Sequence, residues 1–188
     1  MSRPFNIYLC GVGGQGIGLL SELLSRAADH AGLAVHGCDT HGLAQRGGMV
    51  TSHLRLGPAR SPLVPDGQAD LVVALERTEA LRAAHDMLRH SGTLVWYDAA
   101  WQALDVRLGR HRAIIEDDVR AAASAKGAAA WRVYRDDLPD SRMQNVAIVA
   151  EILRQGLIPG LERAHVESAL ADLMGGAALE ANLALLSR

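Results

Sequence analysis

The sequence predicts a three-layer α/β/α sandwich around a mostly parallel or mixed sheet, with a Rossmann-like first βαβ unit and a helical C-terminal part over about 142–188. Three observations predict it. Apolar runs of strand length alternate with segments whose apolar residues recur every three or four positions. The turn "GVGGQG", Gly11 to Gly16, joins the first run directly to the first helical segment. Beyond Ser141 the pattern is helical alone. With 188 residues the chain can fill one core, and a single domain over 1–188 is expected.

Each element follows from its own pattern. "FNIYLCG" is a short apolar run ending at Gly11, and Leu20, Leu23, Leu24, Ala27, Ala28 and Ala31 then lie at helical spacing until Gly32 stops the helix. "LAVHGCD" reads as the second strand, running in the same sense as the first because a helix connects them. "MVTSHLRLG" alternates as a strand does, and the Pro and Gly residues of "GPARSPLVPDG" mark a loop before the continuous apolar run "DLVVALE". Leu81, Ala84 and Leu88 share a helical face within 78–89, and "GTLVWYD" is the next buried strand. The segment 99–112 has no clean period. "HRAII" and "AAAWRVYR" read as further strands around a helix whose first turn holds Glu116, Asp117 and Asp118, the charge that a helix N-terminus favours. Val146, Val149, Ile152 and Leu153 form a strong helix stopped by Gly156 and Pro159, and helical spacing resumes to the end with a break at Gly175 and Gly176.

Composition removes several classes of function. Hydrophobic residues make up 49% and charged residues 21%, and the net charge is -2, so the chain lacks the basic footprint of a nucleic-acid or anionic-membrane binder. No stretch is long and apolar enough to span a bilayer, and "MSRPF" runs into a strand with no apolar leader; a cytoplasmic protein is expected. The two cysteines, Cys10 and Cys38, are isolated, which suits reduced thiols and not a metal or iron–sulfur site built by this chain alone.

The turn at Gly11 to Gly16 satisfies the dinucleotide fingerprint on spacing: it follows a strand, opens a helix, and Asp39 stands about 20 residues later. Gly11 would form the tight turn, Gly13 would admit a pyrophosphate, and Gly16 would let helix and strand pack closely. The same glycines also serve a purely structural turn or a surface facing another chain. A free-standing NAD(P)- or FAD-binding oxidoreductase and a ligand-free assembly scaffold therefore stand as alternatives. Nothing later in the chain supports hydride transfer.

"LCGVGGQGIGLLSELLSRAADHAGLAVHGCDTHGLAQRGGMVTSHLRLG" followed by "SPLVPDGQADLVVALERTEALR" resembles the gamma-type subunit of 2-oxoacid:ferredoxin oxidoreductases, and within that family looks closest to the beta subunit of the indolepyruvate enzymes. Three separated elements recur in order: the "GVGGQG" turn, "HGLAQRGG" and "SPLVPDGQADLVVALE". The likeness is close from about Tyr8 to Tyr97, and later landmarks lie around Asn145 and Asn182. The resemblance implies a subunit of a hetero-oligomer, with no catalytic residue and no metal of its own. Its complex would oxidise a 2-oxo acid, an aryl pyruvate in the indolepyruvate type, to an acyl-CoA and CO2 while reducing ferredoxin. Thiamine diphosphate, Mg and [4Fe-4S] clusters would belong to a larger partner subunit, with CoA as the acyl acceptor.

The residues singled out for cofactor or subunit contact are Gly11, Gly13, Gly14, Gln15, Gly16, His41, Gln45, Arg46, Gly47, Gly48 and His53. Arg46 stands between Gln45 and two glycines, where a guanidinium suits a carboxylate, a phosphate of CoA or a facing subunit; the alternative is a solvated surface arginine. Gln15 can contact either a ligand or its own turn's backbone, and Asp39 can be a turn residue. His41 is expected to hold the loop or an interface, and His53 to alternate outward on its strand beside Ser52 or Arg55. Trp96, Tyr97 and Trp131 read as core, while Trp101 lies where an exposed aromatic could anchor a partner.

Overall fold

The computed structural model describes residues 3–41, 48–101, 106 and 108–187. Six strands, β1 (Phe5–Val12), β2 (Val35–His41), β3 (Met49–Leu56), β4 (Ala69–Ala74), β5 (Leu88–Tyr97) and β6 (Ala129–Val133), form one sheet in the order β2-β3-β1-β4-β5-β6. The pairs β1–β4, β4–β5 and β5–β6 are parallel, and β3 runs antiparallel to both β1 and β2. The helices are α1 (Ile17–His30), α2 (Arg77–Asp86), α3 (Glu116–Ala125), α4 (Gln144–Arg154), α5 (Arg163–Leu173) and α6 (Gly176–Leu186), with a 3-10 turn at Ser141–Met143 before α4.

Strand alternation sorts the core into two layers. Ile7, Leu9, Leu71, Val73, Val95 and Tyr97 face the layer of α1, α4, α5 and α6; Leu20, Val146 and Val149 share that core, and Val166 and Leu170 extend it through α5, which packs on α1. Tyr8, Cys10, Val72, Ala74, Leu94 and Trp96 face α2 and α3, whose contribution is mostly alanine: Ala80, Ala83, Ala84, Ala122 and Ala123. Small residues let those helices lie close to the sheet. Every residue of β4 is buried, as a continuous apolar run in a parallel sheet requires.

Three features depart from the sequence reading. β1 and β2 do run in the same direction across α1, but β3 is inserted between them, so the first βαβ unit is not a pair of neighbouring strands. The reason is visible in composition: β2 carries His36 and Asp39 and suits an exposed edge, whereas β3 places Ser52, Leu54 and Leu56 in the interior and suits a position between two strands. "HRAII" is not a strand. Its carbonyls and N–H groups serve an arginine and a helix start instead: Ile114 O accepts from Arg77 and Ile115 N–H donates to the Asp118 carboxylate at the head of α3. The second helix is also shorter than its spacing suggests, because Leu88 already belongs to β5.

Candidate functional site

The glycine turn lies at the carboxyl end of β1, the side on which open α/β sheets present their ligands. Gly14 and Gly16 have φ of +101° and +83°, which favours glycine. At Gly11 the backbone is ordinary strand, and what demands glycine is crowding: a Cβ would stand 2.9 Å from Gln15 Oε1, 3.0 Å from Ile17 Cδ1 and 3.2 Å from Leu75 Cβ.

Gln15 turns inward. Its Oε1 accepts the Val12 N–H at 2.8 Å and its Nε2 donates to Leu75 O at 2.8 Å, which ties the turn to the end of β4. The chain leaves β1 toward α1 on one face and leaves β4 toward α2 on the other, so the gap between these two strand ends is the topological switch point. The Gln15 side chain spans that gap. A second pair of amides closes the turn from behind: Gln144 Nε2 donates to Gln15 O at 3.3 Å, and Asn145 Nδ2 donates to Gly16 O at 3.0 Å. A Cβ on Gly16 would approach Asn145 Nδ2 to 2.7 Å, so the close approach that this glycine permits is made by α4. Sequence reasoning marks Asn145 only as a landmark and misses Gln144; two consecutive amides opening an amphipathic helix are the available signal.

Gly48 belongs with this turn. Gly13 N–H donates to Gly48 O at 2.8 Å, bringing the end of the second glycine-rich segment against the first. Met49, 43% exposed, follows Gly48 directly and adds apolar surface beside the pair. His41 closes β2. Gln45, Arg46 and Gly47 lie outside the described residues. His53 is elsewhere, four residues along β3 from Met49 and on the α2 face. It takes the less buried place in the alternation of β3, as Arg55 does, and is half covered there: its ring meets Tyr8 edge-on at 5.1 Å, and its Nδ1 accepts the Val64 N–H at 3.1 Å. Burial lowers its pKa, and the ring is held neutral with the proton on Nε2.

The acid that a ribose would need is engaged otherwise. Asp39 Oδ1 accepts from Ser52 Oγ at 2.5 Å and from Ser21 Oγ at 3.2 Å, and the two hydroxyls lie 2.7 Å apart. Ser52 and Ser21 are buried, so this network pins the end of β2 to β3 and α1. With β3 standing between β1 and β2, Asp39 is also displaced by one strand from the turn. Gly11, Gly16 and Asp39 each have a structural duty that leaves the dinucleotide reading unsupported.

Neither cysteine is poised for chemistry. Burial and then the neighbouring negative charge of Glu79 push the Cys10 thiol well above its ordinary value, and burial followed by Asp39 raises Cys38. Among the described residues no group of three or more His, Cys, Asp or Glu side chains could hold a metal ion, and no helix is long and apolar enough to cross a membrane. What the turn offers is a glycine floor with backbone groups, braced from three sides and bordered by the Met49 side chain. Such a surface can receive another chain or a ligand; among the described side chains it presents no acid, base or nucleophile for bond making.

The family model described as Pyruvate ferredoxin/flavodoxin oxidoreductase matches residues 6–188. The chain is 35% identical to indolepyruvate oxidoreductase subunit IorB of Archaeoglobus fulgidus over 95% of its own length and 90% of that protein's. Its fold is similar to pyruvate oxidoreductase subunit PORC of Thermotoga maritima, with a TM-score of 0.66, 19% identity and coverage of 98% and 93% of the two chains. It is likewise similar to the gamma subunit of a keto/oxoacid ferredoxin oxidoreductase of Geobacter sulfurreducens, with a TM-score of 0.64, 18% identity and coverage of 97% and 94%.

Proposed function

Because the chain belongs to the pyruvate ferredoxin/flavodoxin oxidoreductase family, we propose that it is the small, cluster-free subunit of a thiamine-dependent 2-oxoacid:ferredoxin oxidoreductase acting on an aryl pyruvate such as indolepyruvate. The observation that carries this reading is the likeness to an indolepyruvate oxidoreductase subunit over nearly the whole of both chains. The overall reaction joins a 2-oxo acid and CoA to give acyl-CoA and CO2, with two electrons passing to ferredoxin. Two cysteines, one of them buried, do not fit a four-thiolate cluster, and among the described residues no carboxylate group fits the Mg that thiamine diphosphate requires. Those groups are assigned to a larger partner subunit, and no step of the reaction is routed through this chain.

The role of this subunit is to present the braced glycine surface. Gly13, Gly14 and Gly48 form its floor, Gln15, Gln144 and Asn145 fix its shape from beneath, and Arg46, two residues before Gly48 in sequence, is the side chain assigned to partner contact. The large subunit, or CoA held between the two subunits, meets it there. A guanidinium placed among glycines can reach a carboxylate or a phosphate without steric competition from its neighbours.

Co-expression with the large subunit and size-exclusion chromatography test the assembly: a stable hetero-oligomer is expected. Arg46→Ala should keep the melting temperature of the isolated chain and weaken either subunit affinity or the apparent affinity for CoA by about tenfold to hundredfold, the worth of one charged hydrogen bond. Normal assembly together with normal CoA dependence in this variant would remove Arg46 from the surface.

A further inference from the structure

Away from the glycine turn, a cleft of about 560 Å³ opens between the carboxyl end of β6 and the helices α4, α5 and α6. Its polar rim holds Arg135 just beyond β6, Arg154 at the end of α4 and Arg163 at the start of α5, with Glu151 among them; Arg132 on β6 also lines it but is paired with Asp98 and Glu116. Its floor is apolar, with Ala147, Ala150 and Leu185. The arginines are held in place by carboxylates that occupy one edge of each guanidinium. Arg135 donates through Nε and Nη2 to Asp137, both at 2.8 Å, and Arg154 donates through Nε and Nη2 to Glu151. Among the described residues neither Nη1 has a partner. Arg163 differs, since its three nitrogens reach Glu167, Leu186 O and Ser187 Oγ, and it serves as a wall.

A guanidinium oriented by a carboxylate on its Nε–Nη2 edge still presents N–H donors on the Nη1 side, and two such groups from different elements can share one oxyanion. The concavity, and a volume typical of small-molecule pockets, favours a small ligand over a flat protein surface. The geometry points to this cleft as a binding site for a small amphipathic organic anion, with its carboxylate or phosphate on Arg135 and Arg154 and its apolar body on Ala147, Ala150 and Leu185. The site is independent of the glycine turn and of the proposed subunit role.

Calorimetry on the full chain at low ionic strength tests it, with phenylphosphate and phenylacetate as probes and inorganic phosphate as the reference. One or both aryl anions should bind at least about tenfold more tightly than inorganic phosphate, the tighter probe naming the headgroup. Arg135→Gln should weaken that binding by about tenfold or more, the loss of one charged hydrogen bond, with an unchanged melting temperature because its partner Asp137 is half exposed. Ala150→Leu should do the same by filling the floor. The site is overturned if neither probe binds up to millimolar concentration, if inorganic phosphate binds as well as they do, or if Arg135→Gln binds them normally. Binding of an acidic peptide such as oligoglutamate, with none of the aryl anions, would equally overturn it.

Discussion

At the scale of single residues, the glycine turn makes sharply different demands at neighbouring positions. Gly16→Ala places a Cβ in left-handed backbone and 2.7 Å from Asn145 Nδ2. It should cost about 2 kcal/mol or more in denaturant unfolding, of which the left-handed conformation alone accounts for about 1–2 kcal/mol. Gly14→Ala meets no atom within 4 Å, so it should cost only that conformational part. Equal costs at the two positions would show that α4 does not press on the turn. Gln15→Ala removes an acceptor from Val12 and a donor from Leu75, and should destabilise by about 1–3 kcal/mol. The sequence leaves Gln15 open between ligand and backbone, because an amide can satisfy either and only the position of Leu75 O decides. Asp39 is undecidable in sequence for the same reason: its partner Ser21 lies 18 residues away, and Ser21 in turn lies 31 residues from Ser52, so the network carries no local mark.

At the scale of elements, what is legible in the sequence is what period and burial dictate. The apolar runs of β1 and β4, the two-residue alternation of β3 and the amphipathic spacing of α1 and α4 each reflect how much of the element meets the core, and on which side. The place of β3 between β1 and β2 is not legible, since strand order depends on which edges pair and not on the spacing within any strand. The same limit hides the contact of α4 with the turn. Asn145→Asp tests that contact: it keeps size but replaces the donor to Gly16 O with an acceptor, and should lower stability by about 1–3 kcal/mol, with faster amide exchange at Gln15 and Leu20, whose N–H groups bond Val12 O and Gly16 O. Unchanged exchange there would separate α4 from the turn. The amino end of β4 has its own anchor. Burial pushes the Asp70 carboxyl up, but the bond from Arg3, the Asn6 N–H and the charges of Arg3 and Arg89 outweigh it and hold the pKa below the usual carboxylate value. A depressed folded pKa contributes stability that is present above the unfolded value of about 3.9 and is lost as pH falls through the folded one. Acid unfolding of the native chain should therefore show this loss below pH about 4, and Asp70→Asn should flatten that limb while lowering stability at neutral pH. An identical acid limb in the variant would mean that the ion pairs of Arg3 and Arg89 do not persist in solution.

At the scale of the whole molecule, the fold places a turn whose described side chains include no acid, base or nucleophile at the one end of the sheet where an enzyme of this architecture would put its chemistry. The thiols are held protonated, the Asp39 carboxylate on β2 is bound by two serines, and the turn is braced by amides from α4. On the proposed function the chemistry is supplied by a partner chain that docks there, in keeping with membership of the pyruvate ferredoxin/flavodoxin oxidoreductase family. The "HGLAQRGG" segment leads to the same expectation, because a glycine pair beside an arginine is poorly spent on a solvated loop. The most direct measurement is reconstituted turnover: reduction of ferredoxin by an aryl pyruvate and CoA, with this chain alone, with the large subunit alone, and with both. Turnover should require both chains and be absent from this one. Turnover by this chain alone, or full activity of the large subunit without it, would contradict the assignment.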